Sequence, residues 1–470
     1  MQLNFAHLLE STARRFWDKT TLVWDGGSLT WSELDRLASG FAASLSRRGV
    51  TAGDRVAMVI PNRWTFAAAF LGILKLGATA SPLHPTLKTE EKNEILADLR
   101  PKLVIDDVEM EGGDWTTPER ATAPAVIVYT SGSTGRPKGA VFSHEALAHA
   151  IESWGGPVMA LKPEDVVLAV LPLAHNYGMN GALLAPLLFG ASVALVERFT
   201  PEAVFDAIKR YRVTVFPGVA TIFRRLLGAP DFVAADFSSL RFALSGAAPC
   251  PWELAQEWRD KTGIRILRGY GMTEVPRPIS YLADDPRDFP DAVGRAVPGV
   301  EVRVVDEAGG ALVTGEVGEL WIKSPFAMDG YLDAPEETAA VVAEGWFKTG
   351  DLAIVTPEGF IRIVGRKRER ILRGGYSVFP QEVEAVLLSH PAVAEAAVVG
   401  IQSADLGEEV AAFVTLKPAV RTTTDELSTY CQERLAHYKY PRQVSILQEM
   451  PRGATGKILK SELVKLKAGG

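Results

Sequence analysis

Two hydrophobic periods alternate along the first hundred residues. Phe5, Leu8, Leu9 and Phe16 share one helical face, and Leu34, Leu37, Phe41 and Leu45 recur at helical spacing behind Thr30-Trp31-Ser32-Glu33. That tetrapeptide is a capping box, in which a hydroxyl and a carboxylate each satisfy a backbone N–H. Trp64 to Leu74 reads as an apolar helix and residues 89–99, TEEKNEILADL, as an amphipathic one. RVAMVI (55–60), KLVID and AVIVYT are short apolar runs of strand length between them. The alternation continues through HEALAHAIESW, PEAVFDAIKRYR, VTVFPG and PWELAQEWRDKTG. Such a pattern predicts parallel βαβ units with helices on both sheet faces.

After residue 294 the pattern shortens. GVEVRVVDE, GEVGELWIKS, GWFKTGDLAIVT and GFIRIVG predict a small antiparallel β region. Beyond Gly365 come a helix, two strands, a helix and a strand, an α+β unit of independent domain size. The predicted fold class is α/β, with a large N-terminal domain (1–365) of parallel α/β subdomains plus the antiparallel region, and a small α+β C-terminal domain (366–470).

From Val166 to Val196 there is no Asp, Glu, Lys or Arg, and a run of that length could span a bilayer. Pro172, His175, Asn176, Asn180 and Pro186 interrupt it, and its ends are strand-like. A buried strand–loop–helix–strand unit is expected instead.

With 470 residues, 47% of them apolar and 23% charged, the chain can bury large cores, which excludes disorder. Its net charge of −7 and lack of any run of five like charges argue against a nucleic-acid binder. The one basic cluster, Arg366, Lys367, Arg368, Arg370 and Arg373, is broken by Glu369. Cys250 and Cys431 make neither a disulfide framework nor a zinc site, and a reducing cytoplasmic setting is the simplest expectation. The opening residues show no signal-peptide pattern.

Four segments carry chemistry. In Tyr129-Thr-Ser-Gly-Ser-Thr-Gly-Arg-Pro-Lys-Gly139, the hydroxyls and glycines make a donor-rich loop able to wrap phosphate oxygens. It is not a Walker A loop, because Pro137 precedes Lys138 and Gly139 follows it. Arg268-Gly-Tyr-Gly-Met-Thr-Glu274 presents an aromatic ring, a hydroxyl and a carboxylate, a set suited to a base, a phosphate and Mg²⁺. Gly345-Trp-Phe-Lys-Thr-Gly-Asp351, followed by Gly365-Arg366, offers an acid for ribose hydroxyls. Pro451-Arg-Gly-Ala-Thr-Gly-Lys457 carries a lysine behind a glycine-rich turn. Read singly, the last three suit ordinary turns as well; their order and spacing change that.

Together with LPLAHNYG and GRKRERILRGGYSVFPQEVE, these segments resemble the adenylate-forming superfamily of acyl- and aryl-CoA ligases, amino-acid adenylation domains and luciferases, over essentially the whole chain. The resemblance implies an enzyme that joins a carboxylic acid to ATP as an acyl-adenylate and then to a thiol, with ATP, Mg²⁺ and coenzyme A as reactants. It implies that Thr130, Ser131, Gly132, Ser133, Thr134, Gly135 and Lys138 hold the β- and γ-phosphates. Tyr270 would stack on adenine, with Gly269, Gly271 and Met272 also in the ATP site, and Gly246, Ala247 and Ala248 would lie beside base and acyl group. Thr273 would touch the α-phosphate and Glu274 hold Mg²⁺, while Asp351 and Arg366 fix the ribose.

The acyl site would be bordered by His175, Tyr177, Gly178, Val219, Gly246, Ala247 and Gly271. Catalysis would rest on Lys457, Glu274, Thr273 and His175, with Lys457 bridging carboxylate and α-phosphate. The same resemblance implies a mobile C-terminal domain that swings about a hinge at 366–368. One orientation presents Lys457, and the other presents Arg373, Gly374, Gly375 and Tyr376 to the pantetheine arm of CoA. Arg368 departs from the Asp or Lys usual at the hinge.

The acid expected is fatty, alicyclic or aryl, since the presumed pocket segments are mostly apolar. Arg268 and Arg277 keep a dicarboxylate of the malonate type open. A stand-alone enzyme serving a carrier protein is a further alternative, although HNYGMNGALLAPL offers no acid to pair a substrate ammonium. The expected partners are small molecules, with no nucleic acid and no membrane span, and a homodimer is compatible with the reading.

Overall fold

The capping box at Thr30 forms as its sequence predicts. The Thr30 hydroxyl accepts from the Glu33 amide at 3.3 Å, and the Glu33 carboxylate accepts from the Thr30 amide at 2.7 Å, opening the helix Trp31–Arg47. Trp31, Leu34, Ala38, Phe41, Ala42 and Leu45 bury one side of it. The helix Thr89–Leu99 runs over the residues the amphipathic pattern marks. This computed structural model describes residues 2–468 apart from 107, 132–135, 287, 375, 404 and 453–457.

The chain divides into two compact units, residues 1–302 with 322–347, and 303–321 with 348–470. In the first, a nine-stranded sheet has a parallel run in the spatial order Ile266–Tyr270, Phe242–Ser245, Val215–Gly218, Val166–Ala169, Ser192–Leu195, Thr20–Trp24. A six-stranded sheet places Leu103–Ile105, Arg55–Met58, Thr79–Pro82 and Val126–Ser131 in parallel. Both sheets end in antiparallel edges, including Ile279–Ser280 beside Ile266–Tyr270 and Gly330–Tyr331 beside Pro137–Phe142. The sheets are therefore mixed, where strand–helix alternation predicts only the parallel part. Two-residue edge strands are too short to show a period.

The uncharged stretch folds as a buried unit: strand Val166–Ala169, π-helical turns Tyr177–Leu184, helix Ala185–Leu188 and strand Ser192–Leu195. Among the described residues no helix is long and apolar enough to cross a membrane. Behind the nine-stranded sheet, Phe216, Phe223, Phe232, Phe237 and Trp258 pack ring against ring, with Trp258 and Phe223 centroids 5.0 Å apart. This cluster fixes the strand Val215–Gly218 against the helix Trp252–Thr262.

In the second unit, Trp346–Val355 and Ile361–Arg366 pair antiparallel, with Asp351 opposite Arg366. A further sheet orders Tyr376–Val378, Ile371–Arg373, Gly407–Leu416 and Val393–Ser403, and Gln443–Ile446 joins Gly407–Leu416 in parallel. Helices Pro380–Leu388 and Thr424–Gln432 contribute Val383, Leu387, Leu427 and Cys431 to its core.

Candidate active site

Ligands in open α/β sheets bind outside the carboxyl ends of the strands, because loops there diverge to the two faces and leave a crevice. Four adjacent parallel strands carry candidate residues at those ends. His175, Tyr177 and Gly178 follow Val166–Ala169, Val219 follows Val215–Gly218, Gly246 to Ala248 follow Phe242–Ser245, and Tyr270 closes Ile266–Tyr270 ahead of Gly271, Met272, Thr273 and Glu274.

The segments are tied to one another. Asn176 Nδ2 donates to the Thr273 carbonyl at 2.7 Å, linking the histidine segment to GYGMTE. Gly178 is needed where it stands, since a Cβ there would lie 2.2 Å from the Pro172 carbonyl oxygen. A Cβ on Gly271 would lie 2.3 Å from the Arg277 amide nitrogen, so the turn after Tyr270 also tolerates only glycine. Gly269 lies opposite Ser280 and Tyr270 opposite Ile279 in the antiparallel edge. His175 is exposed and stacks on His84, ring centroids 5.5 Å apart, and burial holds the His84 pKa below the usual histidine range. Tyr177 stacks on Trp154 at 5.2 Å, and burial pushes its phenol up to about 12. Ala247 adopts φ +62°, a left-handed conformation rare for a residue with a Cβ, and with Ala248 is exposed.

The phosphate segment is a hairpin more than a loop. Thr130 and Ser131 end the strand Val126–Ser131, and Lys138 is already in the returning strand, opposite Thr130. Gly132, Ser133, Thr134 and Gly135 lie outside the described residues. Lys138 ion-pairs with Glu337 and sits 5.1 Å from the centre of the Tyr331 ring. The Tyr331 hydroxyl donates to Glu274 Oε1 at 2.7 Å. Burial, reinforced by the Glu274 charge, holds that phenol protonated far above its ordinary range. Tyr331 thus stands between the candidate phosphate lysine and the candidate metal carboxylate.

Tyr331, Glu337, Asn176 and His84 were not legible as site residues in the sequence. Tyr331 is 57 positions from Glu274 and reaches it only because Gly330–Tyr331 pairs with Pro137–Phe142.

In the second unit Asp351 is buried mid-strand, not in a turn, and its Oδ1 meets Arg366 Nε at 2.7 Å. Arg368 is exposed in the turn Lys367–Glu369. Arg373 is buried, with Nε 2.8 Å from Glu409 Oε1 and Nη1 donating to the Tyr438 carbonyl at 3.0 Å. Gly374 has φ +55°, and Tyr376 is exposed and stacked on Tyr438 at 4.7 Å. Gly375 and Lys457 lie outside the described residues. The ends of the lysine segment are brought together by an antiparallel bridge between Arg452 and Ile458 and by the Leu459 amide donating to the Pro451 carbonyl at 2.8 Å.

Residues 9–114 and 109–332 match the family model of the AMP-binding enzyme, and residues 382–457 that of the AMP-binding enzyme C-terminal domain. The chain belongs to this family. A feruloyl-CoA synthase of an Amycolatopsis species is 34% identical over 474 residues, covering 94% of this chain and 95% of the relative. A long-chain-fatty-acid–CoA ligase of Bacillus subtilis is 30% identical over 524 residues, covering 97% and 93%. The crystal structure of ATP-bound MatB from Rhodopseudomonas palustris superposes with a TM-score of 0.93 at 30% identity, covering 99% of each chain. This AMP-binding enzyme is accordingly an AMP-forming acyl-CoA ligase, with ATP and CoA as substrates. Its α/β fold class is the one its strand and helix periods predict.

Proposed function

We propose that this ligase activates its acid at the carboxyl ends of the four strands and then passes the acyl group to CoA. The observation that carries the proposal is the chain of contacts within one unit: Asn176 to Thr273, and Lys138 through Tyr331 to Glu274. It joins the acyl, adenine and phosphate segments. A carboxylate oxygen of the acid attacks the α-phosphorus and pyrophosphate departs. The CoA sulfur then attacks the acyl carbonyl and AMP leaves. Both partners of the first step are anions, so the protein's task is clamping and positioning.

Thr130 to Lys138 would hold the β- and γ-phosphates, Tyr270 the adenine, Thr273 the α-phosphate, Asp351 and Arg366 the ribose, and Lys457 the charge shared between carboxylate and α-phosphate. His175, Tyr177, Gly178, Val219, Gly246, Ala247 and Gly271 would border the acid. Arg373, committed to Glu409, would shape the CoA segment from within, leaving Gly374, Gly375 and Tyr376 to face the pantetheine arm. The hinge is proposed at 366–368, between domains 1–365 and 366–470.

Mg²⁺ fits the donor set. It is held by one or two carboxylates together with substrate phosphates, and needs no protein cage. Glu274, its Oε1 held by the Tyr331 hydroxyl, would supply one carboxylate and the nucleotide the remaining oxygens. Bound there, the ion would neutralise phosphate charge, and Tyr331 would aim the carboxylate. Removing a hydrogen bond to a charged group costs about 1.5–3 kcal/mol. Tyr331→Phe should therefore raise the Mg²⁺ concentration for half-maximal activity about tenfold or more, with the fold intact. An unchanged Mg²⁺ titration would remove Tyr331 from this role.

Pyrophosphate release with a panel of fatty, alicyclic, aryl and dicarboxylic acids, with and without CoA, tests the reading. Acid-dependent pyrophosphate with CoA-dependent turnover is expected. Turnover that needs a carrier protein and ignores CoA would overturn the choice of thiol. A dicarboxylate is favoured as the acid by one observation, the setting of Arg277.

A further inference from the structure

Arg277 is the buried cation the site does not explain. It is 5% exposed and lies at φ +50°, the left-handed region in which a non-glycine residue is strained. Its Nε donates to Ser280 Oγ at 2.9 Å, Nη1 to the Ser245 carbonyl at 3.2 Å and Nη2 to the Leu267 carbonyl at 3.0 Å. A guanidinium has five N–H groups, and these three bonds go to neutral acceptors. Among the described residues no carboxylate pairs with it. Arg268, by contrast, is spent on structure: it donates to the Pro290 and Phe289 carbonyls at 2.5 and 2.6 Å.

Charged groups are almost never fully buried without a partner, because the lost hydration is not returned by neutral dipoles. Burial accordingly pushes the Arg277 pKa down. The guanidinium also lies 5.0 Å from the centre of the Trp154 ring and 5.9 Å from that of Tyr177. The Trp154 indole nitrogen is itself buried with no hydrogen-bond partner. A partnerless indole N–H thus lies beside a charge that no carboxylate balances, the arrangement of a site built for a polar ligand group.

The place identifies the ligand. A Cβ on Gly246 would lie 2.9 Å from Arg277 Nη1 and 3.3 Å from the Tyr177 ring. Gly246 and Tyr177 are two of the residues proposed to border the acid, and Gly271, a third, abuts the Arg277 backbone. We infer that Arg277 is a specificity-determining residue that pairs with a second carboxylate on the acid being activated, so that the substrate is a compact dicarboxylate. The inference rests on the acyl-CoA ligase reading of the same site. The second carboxylate takes up the guanidinium's remaining N–H capacity and balances the charge, and the aromatic faces exclude water from the pair. A monocarboxylate of the same length leaves the guanidinium buried and uncompensated.

The test compares matched pairs on the full chain: succinate with butyrate, adipate with hexanoate, terephthalate with benzoate. AMP formation with ATP, Mg²⁺ and CoA gives kcat/KM for each. Sites built to bind a polar substrate group reject analogues lacking it strongly, and the wild type should prefer the diacid of at least one pair by about 10²-fold or more. Arg277→Gln should abolish that preference through KM for the diacid, leaving KM for ATP within about twofold. Arg277→Lys, which keeps the charge without the fork, should restore part of it. If Arg277→Gln does not fold, the wild-type preference alone decides. Monoacids preferred in every pair overturn the inference and leave the ligase reading standing. No AMP with any acid overturns both.

Discussion

Lys457→Ala is expected to slow acyl-adenylate formation by about 10²–10³-fold, the usual cost of removing one preorganised contact to charge that develops in a transition state. In the role proposed for it, the lysine's charge matters most while a carboxylate oxygen and the α-phosphate share negative charge. Thioester formation from chemically supplied acyl-adenylate and CoA should stay near the wild-type rate. That step discharges the adenylate, and in an alternating C-terminal domain it occurs with Lys457 turned away. Gly375→Leu should give the reverse pattern, impairing the thiol step and sparing adenylation. Rapid-quench measurement of each half-reaction separates the two. Equal slowing of both half-reactions by Lys457→Ala would mean one fixed site and no alternation.

Trp258→Ala should cost the larger unit about 3–5 kcal/mol of stability, the range for emptying a buried tryptophan site. Trp258 is fully buried, and four phenylalanine rings surround it at centroid distances of 5.0 to 6.3 Å. The cavity cannot collapse easily, because those rings come from separate segments, the strand Val215–Gly218, the helix Ala220–Leu227, the turn Pro230–Ala234 and the stretch after it. Phe216 lies on the strand that leads into Val219, one of the residues proposed to border the acid, so activity should fail at a lower temperature than in the wild type. Denaturant unfolding followed by circular dichroism reads the effect. A loss below about 1 kcal/mol would show that the cluster does not hold this end of the sheet.

Much of the fold was legible because local signals and burial agree. Thr30 and Glu33 cap the helix they announce, the 89–99 pattern gives the helix bounds, and Val166 to Val196 folds inward because prolines and polar side chains interrupt it. The acyl-CoA ligase activity followed from the motifs, and the family match agrees with it. What the sequence hid is the work of tertiary pairing. Lys138 enters a strand because Pro137–Phe142 pairs on both sides, with Val126–Ser131 and with Gly330–Tyr331. Asp351 lies mid-strand because Arg366 comes opposite it across the ladder. The glycine-rich segments look like turns because local composition does not record which backbone passes close by. Composition also shows two arginines beside GYGMTE but not their directions. Only the packing distinguishes Arg268, bound to carbonyls at Phe289 and Pro290, from Arg277, buried among Tyr177, Trp154 and Gly246.

The reaction course is tested most directly by isotope transfer. The enzyme is incubated with ATP, Mg²⁺, CoA and an acid labelled with ¹⁸O at both oxygens of each carboxyl group, and the products are weighed by mass spectrometry. Attack of the carboxylate on the α-phosphorus, followed by thiol displacement of AMP, leaves one labelled oxygen in each AMP and none in pyrophosphate. Unlabelled AMP, or label in inorganic phosphate alongside ADP, would mean that no acyl-adenylate lies on the path.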